Sequence, residues 1–241
     1  MQKPKLIVVI PAFNEAKAIS STVPDFHQNY VDEIIVVDNG STDGTGELAR
    51  KLGCVVISEP KKGYGNALMR GMREALAHGA DIVMLTEADA TFVAKDGYKL
   101  LAYIDDADLI FGSRATLELV SPGSKWDRFL HYGNLFIAKS LQVCWWGRLR
   151  ITDVGCTLRI IKREALLQII DNFTEGGSAF LIDLVSEALR ANLKCVEIPV
   201  HYKERIGESK ITTGRRKSIN VGFRMLRLIL SKRLRSKRGK E

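Results

Sequence analysis

Runs of apolar, often β-branched residues alternate with stretches of helical periodicity through the first half of the chain. Residues 6–10, 34–37, 55–58, 82–85 and 109–111 predict strands, and 19–29, 44–52 and 66–78 predict the helices between the earlier ones. Strands that are apolar at every position, rather than at alternate ones, need cover on both faces, and intervening helices supply it. The expected class is therefore α/β, with a mostly parallel, doubly wound sheet whose ligands bind at the carboxyl ends of the strands. The second half is less regular. It predicts a helix over 126–142, a strand near 157–161, helices near 163–172 and 180–191, and a strand over 195–200. From 218 to 234, Ile219, Val221, Met225, Leu226, Leu228 and Ile229 gather on one broad helical face, opposite Asn220, Arg224, Arg227 and Ser231. The basic C-terminal helix expected here is amphipathic, imperfectly so because Phe223, Leu230 and Leu234 widen that face.

Length and composition add bounds to this picture. With 241 residues, 46% of them hydrophobic, the chain can bury one substantial core. Cys54, Cys144, Cys156 and Cys195 form no CxxC pair and no metal-ligand spacing with the four histidines, which reads as reduced thiols in a cytoplasmic protein. The apolar stretch at 6–10 is too short for a signal peptide or a span, and no other uncharged run is long enough to cross a bilayer. The net charge of +8 is unevenly placed. From Arg215 to Glu241 there are 11 Lys or Arg and one acidic residue, a balance of +10, which leaves 25 basic against 27 acidic over 1–214. A nucleic-acid enzyme more often spreads basic residues over its catalytic face, whereas a basic tail mixed with apolar residues suits an anionic membrane surface. The expected organisation is a catalytic domain over 1–214 and a basic amphipathic tail over 215–241, with no nucleic-acid partner.

Polar, turn-forming sequences fall at the strand ends where a ligand would bind. Asp38-Asn39-Gly40-Ser41-Thr42-Asp43-Gly44-Thr45 puts a carboxylate at a strand tip, either as part of a well-made turn or as an acceptor for a nucleoside. Glu87-Ala88-Asp89 can aim two carboxylates from alternate residues into one site. As hard oxygen ligands they suit Mg2+ or Mn2+ on a diphosphate, although an ExD triplet alone is more often a solvated loop. Gly63-Tyr64-Gly65-Asn66-Ala67 lacks GxGxxG and follows the third strand rather than the first, which argues against a dinucleotide fingerprint.

In their order these segments resemble the family 2 glycosyltransferases of GT-A type, most closely the polyprenyl-phosphate (dolichol-phosphate mannose synthase-like) branch. The resemblance covers roughly residues 6–215. It is carried by Val9-Ile10-Pro11-Ala12-Phe13-Asn14-Glu15, Val36-Val37-Asp38-Asn39-Gly40-Ser41-Thr42-Asp43, Lys62-Gly63-Tyr64-Gly65-Asn66-Ala67, Glu87-Ala88-Asp89, Gly112-Ser113-Arg114 and Arg205-Ile206-Gly207-Glu208-Ser209-Lys210. It implies that Pro11, Phe13, Glu15, Val36 and Asp38 line a nucleoside pocket, and that Glu87, Ala88 and Asp89 hold metal and diphosphate. Arg114, Arg205 and Lys210 would supply positive charge, and Asp153 matches a position near sugar and acceptor. Glu87 replaces the aspartate usual in the family, which shifts the carboxylate by one methylene. The last motif is one residue shorter between its arginine and its glycine than in close relatives.

The implied activity is inverting transfer of a hexose from a nucleoside-diphosphate sugar, GDP-mannose or UDP-glucose, to a polyprenyl phosphate at the cytoplasmic face of a membrane. A hydroxyl acceptor would need a general base, for which Asp153 or the buried-looking Asp183 stands as candidate. A phosphate acceptor needs none, because its second pKa near about 6 leaves it largely dianionic at pH 7. Two other readings remain: a soluble glycosyltransferase acting on a sugar or polysaccharide hydroxyl, and a basic-tailed binding module with a degenerate nucleotide-sugar pocket.

Overall fold

Leu6–Ala12 forms β1 at the centre of the sheet, and its composition explains its place: Ile7 and Val9 face one core while Leu6, Val8 and Ile10 face another. The computed structural model describes residues 3–27, 30–124, 128–207 and 215–238. Along the chain follow α1 (Ala16–His27), β2 (Glu33–Asp38), α2 (Thr45–Lys51), β3 (Val55–Ser58), α3 (Tyr64–Ala77), β4 (Ile82–Leu85), α4 (Asp96–Leu101) and β5 (Leu109–Ser113). Then come α5 (Arg128–Cys144), β6 (Arg159–Lys162), α6 (Arg163–Ile169), α7 (Phe180–Arg190), β7 (Cys195–Pro199) and α8 (Arg215–Arg238).

The strands form one seven-stranded sheet in the order β3-β2-β1-β4-β6-β5-β7. It is the mostly parallel sheet expected, with β6 antiparallel to both neighbours. That reversal has a consequence for the site. The chain re-enters the sheet from the edge where the parallel strands end, so Arg159 at the start of β6 pairs with Leu85 at the end of β4. The residues just before β6, from Asp153 to Thr157, are thereby delivered to the ligand-binding edge.

One face of the sheet is covered by α1, α2 and α4 through Phe26, Ala49 and Leu100, among others. The other is covered by α3, α5, α6, α7 and α8, with Leu68, Ile137, Leu166, Leu184 and Ile229 meeting in one cluster. The last helix is therefore part of the packed body. It lies against α5 and α7, burying Ile229 and partly covering Met225, Leu226 and Leu228, while Ile219, Phe223, Leu230 and Leu234 stay exposed. All four cysteines are free thiols.

Candidate functional site

The carboxyl edge gathers the loops after β1, β2, β4 and β5, the segment before β6 and the segment after β7. At the end of β2, Asp38 Oδ1 accepts the Ser41 N–H at 2.8 Å, closing the turn that leads to α2. Asn14, in the left-handed region at φ 54°, accepts the Thr42 N–H at 2.7 Å and so ties the loop after β1 to this turn. Phe13 is exposed, with Lys62 Nζ 4.4 Å from its ring centre. Pro11, Phe13, Glu15 and Asp38 thus occupy one edge of the site. Val36 differs. Its side chain is fully buried among the residues under α1 and α2, so it supports the strand from within the core.

Beyond β4, Asp89 is buried and both its oxygens are engaged. Oδ1 accepts the Thr91 N–H (3.1 Å) and hydroxyl (2.6 Å), and Oδ2 pairs with Arg205 Nη1 at 2.8 Å. Arg205 also pairs with Glu15, so one guanidinium bridges the loops after β1 and β4. Ala88, buried, accepts the Thr22 hydroxyl through its carbonyl. Glu87 Oε1 accepts the Thr157 hydroxyl at 2.5 Å. Burial, and then the neighbouring Asp89 charge, push the Glu87 carboxyl up to about 8.

Arg114, at the end of β5, is held by Asp153 in a two-pronged pair, Nε to Oδ2 at 2.7 Å and Nη2 to Oδ1 at 2.9 Å. The Arg114 backbone N–H, Asn134 Nδ2 from α5 and the Gly155 N–H complete the coordination of the Asp153 carboxylate. Burial alone would raise Asp153, but the Arg114 charge and these hydrogen bonds outweigh it and hold the carboxyl below its ordinary range. A carboxylate so saturated is a poor general base, and its evident work is to fix Arg114. Asp183 is not at this edge. It lies on α7 and pairs with Lys232 of α8, so the sequence expectation of Asp183 as a candidate base is corrected to a partner of a lysine in the last helix. Neither carboxylate offered as a base is free to act as one. Lys210 lies outside the described residues.

Tyr64, Asn134, Thr157 and Tyr202 also line the cleft, and Tyr202 lies under Arg114 with the guanidinium 5.1 Å from its ring centre. The cleft is about 470 Å3 and its lining is of two kinds. Glu87, Arg114 and Arg205 are charged, while Phe129, Phe136 and Ile137 of α5 and Ile219, Phe223 and Leu226 of α8, two helices that pack together, are apolar. The sequence reading missed this apolar lining. Its signal was the seven-residue spacing of Phe129 and Phe136, two exposed aromatic side chains on one face of α5.

Among the described residues, no group of three His, Cys, Asp or Glu side chains converges as a metal cage. A divalent ion on a diphosphate has a lesser requirement: one or two carboxylates, with phosphate and water completing its octahedron. Glu87 and Asp89 fit that donor set, since the repulsion from Asp89 that adds to the rise of Glu87 is the kind a cation between two carboxylates relieves. At Asp89 Oδ2 such a cation would compete with Arg205.

Comparison with known proteins gives the family and the fold. The family model described as glycosyl transferase family 2 matches residues 7–170. An uncharacterized glycosyltransferase of Mycobacterium tuberculosis is 32% identical over 214 residues, covering 88% of this chain and 92% of the relative. A dolichyl-phosphate hexose transferase of Haloferax volcanii is 32% identical over 209 residues, covering 86% of each. An undecaprenyl-phosphate mannosyltransferase of Micrococcus luteus is 28% identical over 220 residues, covering 87% and 88%. Among solved structures, glucosyl-3-phosphoglycerate synthase from Mycobacterium tuberculosis, in complex with Mn2+, UDP and glucosyl-3-phosphoglycerate, superposes with a TM-score of 0.72 at 20% identity, over 95% of this chain and 80% of that one. At that identity the likeness shows the shared fold.

Proposed function

The chain belongs to glycosyl transferase family 2, and from that premise we propose that it transfers a hexose from a nucleoside-diphosphate sugar to a polyprenyl phosphate at a membrane surface. The observation that carries this reading is the mixed lining of the cleft. A lipid phosphate is an anion joined to an apolar chain, and one cleft is lined both by Arg114 and Arg205 and by aromatic and aliphatic side chains of α5 and α8. The absence of a free base at Asp153 points the same way, because a phosphate oxygen largely dianionic at pH 7 attacks without deprotonation.

In the proposed reaction a phosphate oxygen of the acceptor bonds to the anomeric carbon as the bond from that carbon to the nucleoside diphosphate breaks, with inversion. Asp38 and the loop after β1 hold the nucleoside. Arg114, locked by Asp153, presents a fixed positive charge, which costs no reorganisation as charge develops on the leaving diphosphate, and Arg205, freed from Asp89 where the cation binds, would turn its charge to the same phosphates. Glu87 and Asp89 would hold a divalent cation, Mg2+ or Mn2+, which when bound neutralises the departing nucleotide. Lys210 would add a further point charge.

The test is incubation of the full chain with GDP-mannose, UDP-glucose and UDP-N-acetylhexosamines and a short polyprenyl phosphate, followed by mass spectrometry. The expected product has the mass of a glycosyl polyprenyl phosphate. Donor turnover with sugar hydroxyls and none with the lipid would replace this reading by the hydroxyl-acceptor one.

A further inference from the structure

Lys232 departs from the other basic residues of α8. It is 1% exposed, and its ammonium lies 2.6 Å from Asp183 Oδ1, 2.6 Å from Glu187 Oε1 and 3.0 Å from the Asn172 carbonyl oxygen. A charge taken this far from water needs such partners to be tolerated at all. What distinguishes this ion pair is what its acidic member holds next. Asp183 Oδ2 accepts the backbone N–H of Thr174 at 2.6 Å and of Glu175 at 2.7 Å, at the start of the loop that leads into α7. A second α8 side chain, Arg224, donates to Glu175 Oε2 at 2.8 Å, while Glu175 Oε1 accepts the Gly177 N–H.

That loop is docked on the start of α3. The Gly176 carbonyl accepts the N–H of Asn66 at 3.0 Å, satisfying one of the donors that a helix leaves open in its first turn. The two backbones are in close approach. A Cβ on Gly63, whose φ is +137°, would lie 2.3 Å from Gly176 O, and one on Gly65 would lie 2.4 Å from Glu175 O. Between those glycines is Tyr64, whose hydroxyl is 2.6 Å from Thr157 Oγ1, and the Thr157 hydroxyl donates to Glu87 Oε1. Direct contacts therefore run without a gap from the last helix to a carboxylate of the site.

We propose that Lys232, supported by Arg224, is a positioning residue for the site: through Asp183 and the 174–176 backbone it sets the first turn of α3, and with it the Tyr64–Thr157 pair that orients Glu87. The inference rests on the reading of Glu87 as a ligand of the donor's cation. Partners that orient a ligand from behind typically change metal affinity by about 10- to 100-fold when removed.

The experiment uses the full chain with Lys232→Met and Arg224→Ala, and measures two quantities well below each variant's melting temperature. The first is amide hydrogen exchange at Thr174, Glu175 and Asn66. The second is half-saturation by Mn2+ in the presence of UDP or of GDP, repeated in a Glu87→Ala background. Lys232→Met should speed exchange at all three amides while Ile35 and Val36 in β2 keep their protection, and should raise the Mn2+ requirement about tenfold. With Glu87 already removed, the same substitution should add little, since both act through one carboxylate. If Lys232→Met does not fold, Arg224→Ala carries the test, with a smaller shift in the same direction. Unaltered Asn66 exchange in both variants overturns the proposal, as does a Mn2+ shift that is equal with and without Glu87. A chain whose Mn2+ response is indifferent to Glu87→Ala alone would instead refute the cation reading, and the exchange data would still decide the link from α8 to α3.

Discussion

Glu87 carries one methylene more than the aspartate of the motif it resembles, and its carboxylate reaches Thr157 across the cleft while Asp89 is taken by Thr91 and Arg205. With its carboxyl pushed up to about 8 from an ordinary 4.5, Glu87 in the metal-free folded chain keeps a proton that the unfolded chain has lost between those values. Over that window the unfolded state binds fewer protons, so this group's contribution to stability falls as pH rises. A cation that binds the carboxylate expels the proton, so affinity for Mn2+ should climb with pH up to about 8. Calorimetry at pH 7 in buffers of different ionisation heat should find close to one proton released per Mn2+, and none with Glu87→Gln. Undiminished release in that variant would place the proton elsewhere. For Asp153→Asn the shape is kept but Arg114 is left buried without its counter-charge, a loss of about 3 to 5 kcal/mol for pairs of this kind. Thermal melting should register it. Because Asp153 is held below its ordinary range, the contribution is present above the unfolded value and is lost as pH falls through the folded one. Glu87, Asp89, Arg114 and Asp153 were legible because each sits within a local motif. The role of Asp183 was not, since its partner Lys232 is distant in sequence and sits in a segment that reads as a basic amphipathic tail.

The strands 55–58 and 82–85 fall where the apolar runs put them, and β1, β2 and β5 extend beyond their runs by no more than two residues. Continuous burial on both faces leaves a strong local trace of this kind. The direction of β6 leaves none, because a short apolar run reads alike both ways, and six-residue α4 is too short for helical periodicity to emerge. The α5 helix was found, but the meaning of its aromatic side depends on α8, which approaches it only in the fold. If Phe129 and Phe136 form the wall on which the lipid chain lies, truncating them should weaken acceptor binding. Covering a phenylalanine side chain is worth about 1.5 to 3 kcal/mol, so Phe129→Ala with Phe136→Ala should raise the KM for a long polyprenyl phosphate by at least about tenfold. The donor's KM should stay within a factor of about two of wild type, since the nucleoside is assigned to Asp38 and the loop after β1 rather than to α5. Steady-state kinetics with each substrate varied in turn decides it, and an unchanged acceptor KM would remove this wall from the lipid site.

At the scale of the whole molecule, the question is what meets the outer surface of α5 and α8. Among the described residues no helix is long and apolar enough to cross a membrane. Yet Tyr132, Phe136, Val143 and Trp146 on and just after α5, and Phe223, Leu230 and Leu234 on α8, are exposed beside the exposed arginines Arg216, Arg227 and Arg235. Aromatic and aliphatic side chains interleaved with arginine suit the boundary of an anionic leaflet. Phe136 and Phe223 of this surface also line the cleft, so a lipid acceptor would enter beside them. Cutting the chain after residue 214 is a poor test, because it would strip cover from the core beside Ile229 and leave Asp183 and Glu187 buried without Lys232. Substitution on the outer face avoids this. Each basic residue near an anionic leaflet contributes about 1 kcal/mol, so Arg216→Gln, Arg227→Gln and Arg235→Gln together should lower affinity for anionic vesicles roughly 100-fold. The melting temperature should hardly move, as surface charges of this kind contribute little to folding. Raising salt should weaken binding of the unaltered chain in the same way, since exposed charges are screened beyond about 8 Å at physiological ionic strength. Co-sedimentation with anionic and with neutral vesicles is the measurement. If the unaltered chain stays in the supernatant with anionic vesicles at low salt, the membrane contact is refuted, and the lipid would have to reach the cleft by another route.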